Sequence, residues 1–121
     1  MPDGDPILKA KFILDAQGKP KGRASGDYQI KLFVENVPSD AYAVTYRLDE
    51  SYYDPAREAI NRVDDFAEEI TSYGNYLIIA RIRAKSSPKE IRRSLYDALM
   101  DFHRGNDDPS IMKALKDIAE N

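Results

Sequence analysis

A chain of 121 residues, 42% hydrophobic and 32% charged, is large enough to bury one core and hardly two. Its net charge of −3 argues against general nucleic-acid affinity, and the absence of cysteine removes disulfides and thiol nucleophiles together. The opening Met-Pro-Asp-Gly-Asp-Pro lacks a basic stretch followed by an apolar one, and no run of about 18 apolar residues occurs, so a soluble cytoplasmic protein is expected. Charge is uneven: eight acids lie between Asp49 and Glu69 against Arg57 and Arg62, whereas Arg81 to Arg93 holds six bases against Glu90. Such polarity is what a solvated surface carries, and it can also steer a partner.

The first two thirds of the chain read in period two, the period of a strand with one buried face. Leu8, Ala10, Phe12 and Leu14 alternate with Lys9, Lys11 and Ile13, and the turn chemistry of Asp15 to Pro20 follows. Tyr28, Ile30, Leu32 and Val34 alternate with Gln29, Lys31 and Glu35, with only Phe33 breaking the polar face. After a turn containing Pro38, the residues Tyr42, Val44, Tyr46 and Leu48 are predicted to face inward on a half-buried strand. Following Gly74, the run Tyr76, Ile78, Ala80, Ile82 and Ala84 gives a further strand, apolar on both faces at its start.

The segment between the third and fourth runs is open to two readings. Asp54-Pro55 resembles an N-cap with proline at the first helical position, and Ala56, Ile60, Val63, Ala67 and Ile70 recur at helical spacing. Taken alone, that pattern favours a helix from Pro55 to about Ile70.

In the last third, Ser87-Pro88-Lys89-Glu90 reads as a capping box, which predicts a helix with Ile91, Leu95, Ala98, Leu99 and Phe102 on one stripe. Gly105 is a natural stop, and Asp108-Pro109 opens a second helix with Ile111, Leu115 and Ile118 inward. A hairpin of helices this short is marginal alone, so it is expected to dock, either on its own sheet or against a second copy or partner. The division expected is a sandwich over residues 1–85 and a helical appendage over residues 86–121, packed on or beside it as one domain overall.

Catalytic and metal chemistry find little support. His103 is the single histidine and sits near a helix C-terminus, where a solvated structural role is expected. Asp64-Asp65 and Glu68-Glu69 lack the pattern of a calcium loop, and Gly18, Gly22 and Gly26 lack the apolar helix that follows a phosphate loop. No cofactor and no metal site are expected, and the chain reads as a non-enzyme.

Eight tyrosines and no tryptophan make a tyrosine-rich set. Tyr52 and Tyr53 follow the third run and Tyr73 precedes Gly74, so two loops each present tyrosine beside a small polar residue, Ser51 and Ser72. The stretch Val44 to Pro55 resembles the segment of YEATS domains in which a strand ends Leu-His-x-Ser-Phe and continues to Asn-Pro. Phe66 to Ile70 with Ser72-Tyr73-Gly74-Asn75-Tyr76 resembles the family strand that leads into a Gly-Trp-Gly-x-Phe or Gly-Tyr-x-Gly-Phe loop. Tyr28 to Glu35 resembles the earlier Trp-x-Val-x-Val strand. The resemblance, to the prokaryotic branch in particular, covers roughly half of the chain.

The resemblance implies a mainly β, immunoglobulin-like sandwich with a C-terminal helical hairpin, in which Pro55 to Asn61 is loop and a strand runs from about Asp65 to Thr71. It also implies a module that reads an acylated lysine, whose tip is neutral and planar and is bound by ring faces, a hydroxyl and a backbone N–H. By position, Tyr52 and Tyr73 would be the sandwiching rings, Ser51 the hydroxyl contact, and the Gly74-Asn75 backbone the approach to the acyl carbonyl. Asp49 stands where the family carries histidine. The partner expected is a protein or peptide, and the alternative role is an interaction or oligomerisation module, working through the C-terminal helices, in a prokaryotic signalling or defence-type system.

Overall fold

The computed structural model describes residues 5–22, 27–52, 54–72 and 74–120. The alternating runs form strands: β1 (Ile7–Phe12), β2 (Tyr28–Glu35), β3 (Ala41–Arg47) and β6 (Leu77–Ala84). With β4 (Ala56–Ala59), β5 (Glu68–Ser72) and β7 (Lys89–Ser94) they build two antiparallel sheets, one ordered β1-β2-β5 and one ordered β4-β3-β6-β7. The inward rows of the two sheets, Leu8, Ile30, Leu32 and Ile70 from one and Val44, Tyr46, Ile78 and Ile82 from the other, meet in one buried cluster. This is the immunoglobulin-like sandwich expected from the sequence, completed by α1 (Leu95–Phe102) and α2 (Pro109–Glu120).

Three segments depart from their local sequence signals. The helical spacing over Pro55 to Ile70 does not form a helix: Ile60 and Val63, which would lie on its buried stripe, are 72% and 96% exposed. Instead β4 pairs with β3, and the Asn61 side chain accepts the Val63 N–H to open a single 3-10 turn over Arg62–Asp64. Asp65 and Phe66 then take left-handed φ values of 53° and 54°, which reverses the chain into β5. The strand expected near Asp65 to Thr71 is therefore present, whereas Pro55 to Asn61 is not all loop, because β4 occupies part of it.

The second departure concerns the helix expected to start at Ser87. Lys89–Ser94 pairs with β6 from Ile82↔Lys89 to Leu77↔Ser94, since otherwise the apolar β6 would end its sheet as an open edge. The capping signature is realised one element later, where the Ser94 hydroxyl accepts the Asp97 N–H and α1 begins at Leu95. Thirdly, a β-bulge between Ala41 and Ala43 turns Tyr42 out of the inward row, leaving it 53% exposed. The remaining helix signals hold, since Gly105 takes φ 80° just past α1 and α2 begins at Pro109.

The helices dock on the chain's own sheets. Leu95, Ala98 and Leu99 of α1 and Ile111, Leu115 and Ile118 of α2 are buried in the same cluster as the strands. Phe102 meets the outward-facing Phe33 edge to face, with ring centroids 6.1 Å apart, and the Lys11 ammonium lies within 6 Å of both rings. α1 runs beside β1, an edge strand, whose exposed backbone is occupied by side chains. Arg93 donates to the Leu8 carbonyl (3.1 Å), and the Phe12 N–H donates to His103 Nε2 (3.2 Å).

His103 is therefore not the solvated end-of-helix cation expected; it is buried, stacked on Phe12, and serves as a hydrogen-bond acceptor. Burial, and secondarily the Lys11 charge, hold its pKa below the usual value of 6.5. A base with a depressed folded-state pKa contributes its full stability above about pH 6.5 and loses it as pH falls through that value toward the folded pKa. The urea midpoint is expected to drop between pH 7.5 and pH 5, and His103→Gln, which keeps an acceptor but does not titrate, is expected to flatten that drop. An unchanged slope in the variant would show that other groups control acid sensitivity.

Candidate functional site

At the end of the sandwich where β3 exits and β6 enters, two connections come together beside Asp27, which immediately precedes β2. The first is a tight turn built by Asp49: its carboxylate accepts the Ser51 N–H (2.9 Å) and its carbonyl accepts the Tyr52 N–H (3.1 Å). The Leu48 N–H donates to the Pro55 carbonyl and closes the loop. Hydrogen bonds from the Ser51 amide and hydroxyl hold the Asp49 carboxyl below the usual carboxylate range, so it is charged at neutral pH.

The second connection is the β5–β6 turn. Ser72 is buried, and its hydroxyl both donates to the Gly74 carbonyl (2.7 Å) and accepts the Gly74 N–H (3.3 Å). The Asn75 side chain accepts the Tyr96 N–H and the Tyr76 carbonyl accepts the Leu95 N–H, so the start of α1 is fastened to this rim. The helical tail thus braces the loop end of the sandwich.

Between the two turns lies a cleft of about 270 Å³. Its floor is a tyrosine pair: the rings of Tyr52 and Tyr76 are 5.6 Å apart and tilted by 56°. The Tyr76 hydroxyl donates to that of Tyr52 (3.0 Å), which donates to the Thr71 carbonyl (2.6 Å). Burial, followed by the bond to Tyr52, pushes the Tyr76 phenol far above its usual range. Both hydroxyls are thereby occupied, and what the pair offers a ligand is ring surface. Outside the cleft lining, the Arg57 guanidinium stands 5.8 Å from the Tyr52 ring centre while donating to the Asp54 carbonyl and to Glu68.

Of the residues singled out from the sequence, Asp49, Ser51, Tyr52, Gly74 and Asn75 line this one cleft, and Tyr73 lies outside the described residues. The Gly74 N–H expected to meet an acyl carbonyl is engaged by Ser72. Asp27, Thr71 and Tyr76 were not singled out as site residues. Tyr76 carried two signals, its place at the head of the β6 alternation, which read as core, and its place in the loop motif that resembles the family's; Asp27 and Thr71 carry no local motif. Among the described residues no group of three or more His, Cys, Asp or Glu side chains could hold a metal ion, and no helix is long and apolar enough to cross a membrane.

The two antiparallel sheets form an immunoglobulin-like sandwich, and solved YEATS domains share this fold and are structural neighbours of the chain. They include the Yaf9 YEATS domain bound to H3K27ac, 16% identical, covering 74% of this chain and 72% of that one with a TM-score of 0.52. The same domain recognising an H3K122suc peptide is 18% identical, with coverage of 74% and 69% and a TM-score of 0.50. Yaf9 described as the yeast AF-9 homolog gives 16% identity, 74% and 68% coverage and a TM-score of 0.52. No family model and no curated protein matches the sequence. At these identities, what the chain shares with the YEATS domains is the fold.

Proposed function

We propose that the chain is a non-enzymatic binding module, of the prokaryotic YEATS kind, whose loop-end cleft receives the flat tip of an acylated lysine or a similar planar group carried by a protein or peptide. The observation that carries this reading is the convergence of Asp49, Ser51, Tyr52, Gly74 and Asn75 on one cleft floored by tyrosine rings. A volume of about 270 Å³ suits one side-chain tip and is small for a larger cofactor. Ring faces with occupied hydroxyls favour a neutral planar group by dispersion and desolvation. The Yaf9 neighbours bound to H3K27ac and H3K122suc lend the reading support from fold likeness.

Sandwich and tail act in this reading as one folding unit, and the helices serve the cleft by holding Asn75 and Tyr76. Self-association through the C-terminal segment would need exposed apolar residues there, yet Leu95 and Ile111 are 0% and 1% exposed within the chain's own core, while Ile91 is half-buried. We place the module in the cytoplasm, working without a cofactor.

The test is binding of acetyl- and crotonyl-lysine peptides to three proteins. Wild type and Tyr52→Phe are expected to bind with similar affinity, because the ring is retained, and Tyr52→Ala about tenfold or more weakly, the scale of losing one aromatic contact. Loss of binding in Tyr52→Phe equal to that in Tyr52→Ala would show that the hydroxyl, and not the ring, carries recognition. Equal binding by all three would place the ligand elsewhere.

A further inference from the structure

The charges around the cleft add a selectivity that the ring pair alone does not supply. Two carboxylates, Asp27 and Asp49, line it, and among the described residues no lysine or arginine does. Asp49 is held ionised by Ser51 beside the tyrosine floor, and its charge is felt at the Tyr76 phenol. Arg57 is committed to the Asp54 carbonyl and to Glu68 and stands over Tyr52 without lining the cleft.

We propose that Asp27 and Asp49 make the cleft a charge filter, which admits neutral acyl-lysines such as acetyl or crotonyl and excludes acyl chains ending in a carboxylate, such as succinyl. The inference rests on the reading of the cleft as an acyl-lysine site and names which acyl class enters it. An acetyl tip brings no charge into the cleft. A succinyl tip brings a carboxylate beside two others, with no lysine or arginine among the described lining residues to neutralise any of them. The same two carboxylates attract a basic residue flanking the modified lysine, so they filter the acyl group without weakening peptide approach.

The experiment uses the full chain and an uncharged glycine-serine peptide carrying one lysine, acetylated or succinylated. At low salt the wild type is expected to bind the acetyl peptide about tenfold or more tightly than the succinyl peptide, and 0.5 M salt is expected to narrow that ratio. Asp27→Asn with Asp49→Asn is expected to bring the ratio close to one, while asparagine at position 49 keeps the oxygen that receives the Ser51 N–H. Succinyl binding equal to or tighter than acetyl binding in the wild type, or a ratio that the double variant leaves unchanged, overturns the filter alone. Binding of neither peptide at millimolar concentration overturns the acyl-lysine reading and the filter with it.

Discussion

A fragment ending at Lys85 is expected to show no cooperative unfolding transition, although it contains every stretch whose sequence resembles a YEATS domain. The cut removes β7, exposing the β6 edge, and strips both Arg93 and His103 from the backbone of β1. It also removes Leu95, Leu99, Ile111, Leu115 and Ile118 from the core cluster. Burying such side chains contributes roughly 1.5–3 kcal/mol each, which for five of them reaches the whole stability typical of a domain, about 5–15 kcal/mol. Circular dichroism followed through urea would check this. A sigmoidal transition near the midpoint of the full chain would show that the sandwich stands alone and that the helices are an accessory.

The second large effect is expected at Phe66. Its ring is fully buried although its backbone is left-handed, and its carbonyl accepts the buried Tyr46 hydroxyl at 2.6 Å. The turn between β4 and β5 is thus held by a ring in the core and a phenol reaching across the sandwich. Phe66→Ala is expected to cost about 3–5 kcal/mol through lost burial and the cavity left behind. Tyr46→Phe, which leaves that carbonyl without its donor, is expected to cost about 1–3 kcal/mol. Urea unfolding of both variants checks the order; a Phe66→Ala loss under 1 kcal/mol would mean that the turn repacks freely.

Period-two alternation made β1, β2, β3 and β6 legible, because one buried face writes its own pattern into the sequence. The segments that misled did so for physical reasons. Ile60 and Val63 carry helical spacing yet point to solvent, so the spacing marks no buried stripe and the loop-and-strand reading holds in its strand. Ser87-Pro88 offered a helix start, but the need to cover β6 outweighed local capping, and Ser94 capped the helix instead. Phe33, the one apolar residue on the outer face of β2, broke the alternation without showing what covers it, which is Phe102 of α1.

The cleft was legible through Ser51 and Tyr52 of one loop and Gly74 and Asn75 of the other, whereas Asp27 carried no signal until folding brought it to the rim. His103 shows the same limit: its helix-end position suggested a solvated cation, and only the docking of α1 against β1 makes it a buried acceptor.

The central claim, that the loop-end cleft is a ligand site, is most directly tested by backbone amide chemical shifts during titration with an acetyl-lysine peptide. The account predicts shifts concentrated at Ser51, Tyr52, Thr71, Gly74, Asn75 and Tyr76. An absence of shifts at millimolar peptide, or shifts confined to the Arg81 to Arg93 face, would contradict it.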